Sequence, residues 1–274
     1  MHEIPFVKMN GTGNDFILVN NMSGAYDLVK QSSFVTAVCA RKLSVGADGL
    51  ICLEPSEKAD FAWRFFNADG SEAEMCGNGA RCAARFAVEN KIAGPDLSFE
   101  TLAGVIRAQV SGSQVRVQLS PPGELETGIR LVIEGSEVVL HSLNTGVPHA
   151  VLFVDDCENT PVETLGRSIR YHERFAPKGT NVNFVSCGQD AILHIRTYER
   201  GVEGETFACG TGSVAAALVA SALKMVTLPV LLQTRSGEQL RVDADSACPP
   251  FGEVFLEGGT RKVCEGVLCT EAWK

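Results

Sequence analysis

Met75-Cys76-Gly77-Asn78-Gly79-Ala80-Arg81-Cys82-Ala83-Ala84 joins a cysteine to a glycine turn that opens into an alanine-rich helical run. The same grammar returns at Ala208-Cys209-Gly210-Thr211-Gly212-Ser213-Val214-Ala215-Ala216-Ala217. Both cysteines precede Gly-x-Gly, they lie 133 residues apart, and Ala83 and Ala84 fall in register with Ala216 and Ala217. Upstream, Glu72 and Glu205 each stand four residues before their cysteine, and Asn67 and Arg200 nine before. A repeat at close to half the chain length reads as an internal duplication whose halves face each other and present two thiols to one cleft.

A cysteine at a helix start sits where unpaired backbone N–H groups and the positive end of the helix dipole favour an anion, so its thiolate is stabilised. The glycines let the backbone approach a ligand closely, and the same N–H groups can bind a carboxylate beside the sulfur. Sulfur beside an anion nest suits acid–base work on a carbon next to a carboxylate. Two such units suggest that one thiolate removes the α-proton from one face while the opposite thiol delivers a proton to the other, inverting the centre. The competing reading makes both cysteines buried small hydrophobes.

Composition bounds the remaining classes. The 274 residues are 45% hydrophobic and 21% charged, which is ordinary for a globular chain. With 24 basic against 33 acidic residues the net charge is −9, and no run of Lys or Arg stands out, so nucleic acid is a poor partner. Met1 to Lys8 shows no basic region followed by an apolar stretch, and no apolar run reaches membrane-spanning length; a cytoplasmic protein is expected. Ten cysteines in a chain of this size read as reduced thiols. There is no Cys-x-x-Cys, and neither Cys76/Cys82 nor Cys264/Cys269 has a partner at structural-zinc spacing, so no metal site is assigned.

Alternating segments predict strands over 4–9, 15–20, 50–53 and 62–66, the last delivering the turn Asn67-Ala68-Asp69-Gly70. Helices are expected over 31–43 and from about Gly79 to Lys91, stopping before Gly94-Pro95. Strands follow over 99–102, 105–110 and 115–119. Ser120-Pro121-Pro122-Gly123 is the strongest linker signal and marks a domain boundary. The second half begins again with strands over 129–133, 138–143, 150–154, 181–185 and 192–198. A helix from Gly212 to about Met225 is apolar all round and therefore expected inside its own sheet. Strands over 230–234, 239–242 and 253–257 complete it. Each half is thus many short strands and one central helix starting at a cysteine.

In order along the chain, Gly11-Thr12-Gly13-Asn14-Asp15-Phe16, Phe66-Asn67-Ala68-Asp69-Gly70-Ser71-Glu72, Cys76 to Cys82, Gly146-Val147-Pro148-His149, Tyr198-Glu199-Arg200-Gly201 and Ala208 to Gly212 resemble the motifs of diaminopimelate epimerases. The resemblance implies a cofactor-independent isomerase of α+β fold, with two pseudo-symmetric domains, each a mixed barrel-like sheet around a central helix, and an active site in the interdomain cleft. The family interconverts LL- and meso-2,6-diaminoheptanedioate on the way to lysine and peptidoglycan, usually as a homodimer. Its last strand commonly returns to the first domain, giving 1–120 plus 263–274 for the Cys76 half and 121–262 for the Cys209 half.

By position, Cys76 and Cys209 match the two catalytic thiols, and His149 and Glu199 the residues that assist proton movement at them. Gly77, Asn78, Gly210 and Thr211 match the backbone nests for the reacting carboxylate. Asn14, Asn67, Asn181 and Arg200 match the residues that fix the substrate's distal end, with Glu199 able to hold its ammonium. Without the motif context, His149 reads as a turn histidine and Glu199 with Arg200 as a solvated charge pair. The other eight cysteines are read as structural.

Two positions depart from the family pattern: Val147, where many members carry asparagine, and Gly49, where some carry glutamine. They leave open a related racemase acting on histidine or another amino acid. Asn14, Asn67, Asn181 and Arg200 speak against it, because a substrate lacking a distal zwitterion would leave them unpaired. A non-enzymatic thiol protein, redox or metal-binding, is the alternative from another class.

Overall fold

The computed structural model describes residues 3–188 and 191–274. Residue contacts divide the chain into two compact units, Met1–Gln118 with Gly258–Lys274, and Leu119–Glu257.

In the first unit, β1 (Ile4–Gly11) and β2 (Asn14–Asn20) form a hairpin whose two-residue turn, Thr12-Gly13, has positive φ at both positions (52° and 91°). That is the turn geometry matching the twist of paired strands. Helix α1 (Ser32–Cys39) crosses over to β3 (Gly49–Glu54), which runs parallel to β2 and antiparallel to β4 (Phe61–Asn67). After Cys76 comes α2 (Gly77–Glu89), then β5 (Asp96–Thr101) parallel to β4, and β6 (Gly104–Ser111) and β7 (Gln114–Leu119) in a meander.

The second unit repeats this plan. Strand β8 (Leu125–Ile133) pairs with β9 (Ser136–Asn144), and β9 with β10 (Pro148–Phe153). Helix α3 (Val162–Arg170) crosses to β11 (Asn181–Cys187), parallel to β10 and antiparallel to β12 (Leu193–Glu199). A short β13 (Gly204–Thr206) leads to Cys209 and α4 (Gly210–Ala222). Then β14 (Val230–Gln233) runs parallel to β12, β15 (Gln239–Ala244) pairs with it, and β16 (Val254–Gly259) follows. The chain finally returns to the first unit as β17 (Arg261–Leu268), paired with β1.

The duplication is therefore structural as well as verbal. Helices α2 and α4 each span 13 residues, each begins one residue after its cysteine, and both cross between parallel strands. Most of α4 is buried, as an all-apolar helix requires, and α2 is buried from Gly77 to Ala84. The α+β class with a mixed sheet and few helices stands. Several details differ from the sequence expectation. Helices α2 and α4 start at Gly77 and Gly210, two residues earlier than expected, because Cys76 and Cys209 are themselves the N-caps, and α4 ends at Ala222. Helix α1 ends at Cys39, before the left-handed Lys42. Helix α3 was not expected at all, so among the described residues each unit holds two α-helices. Among the described residues, no helix is long and apolar enough to cross a membrane.

Candidate active site

Cys76 is extended (φ −147°, ψ 116°), and its Sγ accepts from the Gly79 N–H at 3.5 Å, so the sulfur occupies the place of a capping oxygen. The next turn is held from below. Arg81, with no solvent exposure, donates through Nη1 to the Gly77 carbonyl (3.2 Å) and through Nη2 to Asn78 Oδ1 (3.0 Å) and Thr12 Oγ1 (2.7 Å). Asn78 Nδ2 donates to Asn14 Oδ1 at 2.6 Å, and Asn14 Nδ2 to Asp48 at 3.2 Å. Asn14, Asn78 and the cysteine nest are thereby one connected assembly. Asn67 is exposed at the end of β4 and donates to Ser71 Oγ at 3.1 Å, which closes the turn that leads to Cys76.

Cys209 caps α4 in the same backbone conformation (φ −122°, ψ 112°), with Sγ 3.5 Å from Thr211 Oγ1. The Thr211 carbonyl accepts from Thr145 Oγ1 (3.0 Å), and the Cys209 carbonyl from Ser213 Oγ (3.0 Å). Asn181 spends its side chain on the backbone: Nδ2 donates to the Pro148 carbonyl (3.0 Å), and Oδ1 accepts the Arg200 N–H (2.9 Å). It ties the start of β10, next to His149, to the turn that carries Glu199 and Arg200. His149 is wholly buried, and burial together with the nearby Arg200 charge pushes its pKa down to about 3, so the ring is neutral at physiological pH.

The structure brings Asn14, Cys76, Gly77 and Asn78 together in the first unit, and His149, Asn181, Glu199 and Arg200 in the second, whose α4 start carries Cys209, Gly210 and Thr211. Sequence reasoning missed several supporting residues. Thr12, Arg81 and Asp48 fix the first nest; Thr145 and Asn183 serve the second. Arg81 was legible in principle, as a charge on the face of α2 that the alanines mark as buried.

A further pair explains the upstream register. Arg64 forks Glu72, and Arg196 forks Glu205 at 2.6 and 2.7 Å, one pair per unit and both just ahead of the cysteine. Each bidentate pair ties the strand before the turn to the segment entering the cysteine-capped helix.

The other cysteines sort by burial. Burial pushes the thiols of Cys39 and Cys52 up to about 12 and that of Cys157 to about 11, which keeps them protonated. Cys187, Cys248, Cys264 and Cys269 are exposed. Gly49 is set by packing: a Cβ there would lie 2.5 Å from the Phe66 carbonyl oxygen, so no side chain fits. Val147 is half-buried, and its carbonyl accepts the Thr145 N–H at 3.1 Å.

Two copies of one α+β unit, each opening its buried helix at a cysteine, define a duplicated fold. Solved structures at a likeness that bears on fold alone share that architecture. A phenazine biosynthesis protein of the PhzF family from Bacillus anthracis aligns with TM-score 0.74 at 15% identity, over 98% of this chain and 100% of its own. A probable proline racemase from Agrobacterium radiobacter K84 aligns at 0.71 and 14%, over 97% and 93%.

Sequence relatives narrow the class. The family model described as diaminopimelate epimerase matches residues 6–123 and 141–247. Proteins named diaminopimelate epimerase from Aquifex aeolicus and Hydrogenobaculum are 48% and 49% identical, covering 97% and 96% of this chain and 98% of each relative. The chain belongs to the diaminopimelate epimerase family.

Proposed function

We propose that this chain interconverts LL- and meso-2,6-diaminoheptanedioate, with Cys76 and Cys209 as the paired acid and base. The observation that carries the reading is the matched placement of the two cysteines, each the N-cap of a buried 13-residue helix whose first turn offers unpaired N–H groups. One sulfur, as thiolate, takes the α-proton; the C–H electron pair remains on carbon, where the adjacent carboxylate delocalises it; the other thiol then gives its proton to the opposite face. Gly77 and Asn78, with Gly210 and Thr211, supply N–H donors for the carboxylate as negative charge builds on it. Asn14, Asn67, Asn181, Glu199 and Arg200 orient the distal amino-acid centre, and His149 and Glu199 serve the thiols.

Family membership also supports a cytoplasmic homodimer, in lysine and peptidoglycan precursor synthesis, that takes a small diamino dicarboxylate and uses no organic cofactor. The two compact units support domain limits of 1–120 plus 263–274 and 121–262. Reduced protein incubated with LL-diaminoheptanedioate should yield the meso isomer, and Cys76→Ala or Cys209→Ala should each abolish conversion. Racemisation of histidine or another amino acid in its place would retain the thiol chemistry and refer the specificity to Val147.

A further inference from the structure

The two units diverge at one spot in the sheet beneath the cysteine helix. In the first, Leu18 pairs with Ile51 and Ile51 with Phe65, and Phe16 lies opposite Gly49. The Phe16 and Phe65 rings meet edge to face at 5.9 Å. The same ladder positions in the second unit are Val151, Asn183 and Thr197, with His149 opposite Asn181. An apolar trio, Phe16, Ile51 and Phe65, is thus replaced by His149, Asn183 and Thr197, all buried. Burying polar groups is costly unless each is hydrogen-bonded, and the first unit shows that the fold does not need them there.

Their bonds determine where the imidazole proton sits. Asn183 Nδ2 lies 3.0 Å from the Ala150 carbonyl, which can only accept, so the atom facing it is the amide nitrogen. Thr197 Oγ1 donates to Asn183 Oδ1 at 3.0 Å, fixing the other end. The remaining amide hydrogen reaches His149 Nδ1 at 3.1 Å, so Nδ1 is the acceptor and the ring proton is on Nε2. Nε2 is buried and has no hydrogen-bond partner among the described residues. A donor held in that state is a place kept for an acceptor that arrives with the ligand. Asn183 also supports the second nest, since a Cβ on Gly212 would stand 2.3 Å from its Oδ1.

We propose that Asn183, braced by Thr197, is a positioning residue that locks His149 as the Nε2–H tautomer, and that Nε2–H donates to a carboxylate oxygen of the bound substrate. The substrate half of this rests on the epimerase reading. His149 then serves the thiol chemistry by holding the substrate carboxylate through Nε2–H, since its acceptor nitrogen is already engaged by Asn183. Burial agrees, since it disfavours the imidazolium.

The test is a two-bond 1H–15N spectrum of full-length protein labelled in its histidine rings, with His149 assigned by loss of its signals in His149→Gln. Before ligand is added, His149 should show a protonated Nε2 and an unprotonated Nδ1 at neutral pH, and 2,6-diaminoheptanedioate should shift the Nε2–H signal. Asn183→Asp, whose carboxylate calls for a hydrogen at Nδ1, should move the proton to Nδ1 and lower kcat by up to about a hundredfold, the scale of losing one aimed donor. Thr197→Val should lower kcat severalfold and Thr197→Ser should restore it. An Nδ1–H or doubly protonated ring in the wild-type protein overturns the lock, whether or not the variants fold. An Nε2–H signal that ignores the substrate overturns the donor role. Absence of epimerisation with the Nε2–H tautomer intact refutes the epimerase reading and leaves the lock standing.

Discussion

Arg81 is a charged side chain with no exposure, and its guanidinium spans three acceptors that the first nest depends on. One of them belongs to Thr12, a β-branched residue at φ 52°, a conformation such residues rarely adopt. The bond from Arg81 to Thr12 Oγ1 gives that strained turn a reason to persist. Arg81→Met should therefore cost roughly 1–3 kcal/mol for each acceptor left buried and unpaired, read as a lowered denaturant midpoint. Activity should fall with it, because the Gly77 carbonyl and the Asn78 side chain lose their anchor.

His149 makes a prediction of different sign. Its folded-state pKa, about 3, lies below the ordinary 6.5, so the unfolded chain binds a proton that the folded one refuses. The stability this contributes is fully present above about pH 6.5 and is lost as pH falls towards 3. Between pH 6 and 5 the wild-type protein should lose stability more steeply than His149→Gln, by up to about 1.4 kcal/mol per pH unit for one proton. Equal slopes in denaturation at the two pH values would contradict the neutral, buried ring.

At the scale of elements, Gly49 shows why strand β3 can lie where it does. Gly49→Ala should destabilise by about 1–3 kcal/mol, since the added methyl meets the Phe66 backbone carbonyl, which cannot step aside as a flexible side chain could. Equilibrium denaturation checks it. The helices at the cysteines were legible because Gly-x-Gly followed by alanines is a strong local signal, and the strands were legible from their alternation. Helix α3 was not. It has no side-chain N-cap bond, and Gly166 in its middle reads as a breaker; its Val162 and Ile169 face is recognisable only once β11 and β12 are there to cover it. The site followed the same division. Cys76 and Cys209 were visible because each announces itself within four residues. Asn183 and Thr197 were not, because their role exists only through the pairing of three strands far apart in sequence. Asn181, matched to the substrate's distal end, also ties its amide to the backbone at Pro148 and Arg200, contacts that depend on the pairing of β10, β11 and β12. Spacing shows which positions matter but not which way a side chain turns.

Across the whole molecule, the duplication explains economy and divergence together. One ladder pattern, two parallel crossovers and one cysteine-capped helix recur in each unit, and the Arg64–Glu72 and Arg196–Glu205 pairs recur with them. The cysteines of the whole chain should divide in the same physical terms. Cys187, Cys248, Cys264 and Cys269 should react with a thiol reagent in the native protein, whereas Cys39, Cys52 and Cys157 should react only after denaturation, as mass spectrometry of labelled peptides would show. Replacing the four exposed cysteines by serine should leave turnover unchanged and isolate the chemistry of the remaining thiols.

The central claim is that two thiols divide the proton transfer, and the first turnover in D₂O tests it most directly. With a thiolate removing the α-proton on one face and a different, solvent-equilibrated thiol delivering from the other, the first meso-diaminoheptanedioate formed from LL substrate should carry deuterium at the inverted carbon. The LL isomer recovered at the same low conversion should carry almost none. Product that retains the substrate's own α-hydrogen would mean one group handles both faces, and would contradict the paired roles of Cys76 and Cys209.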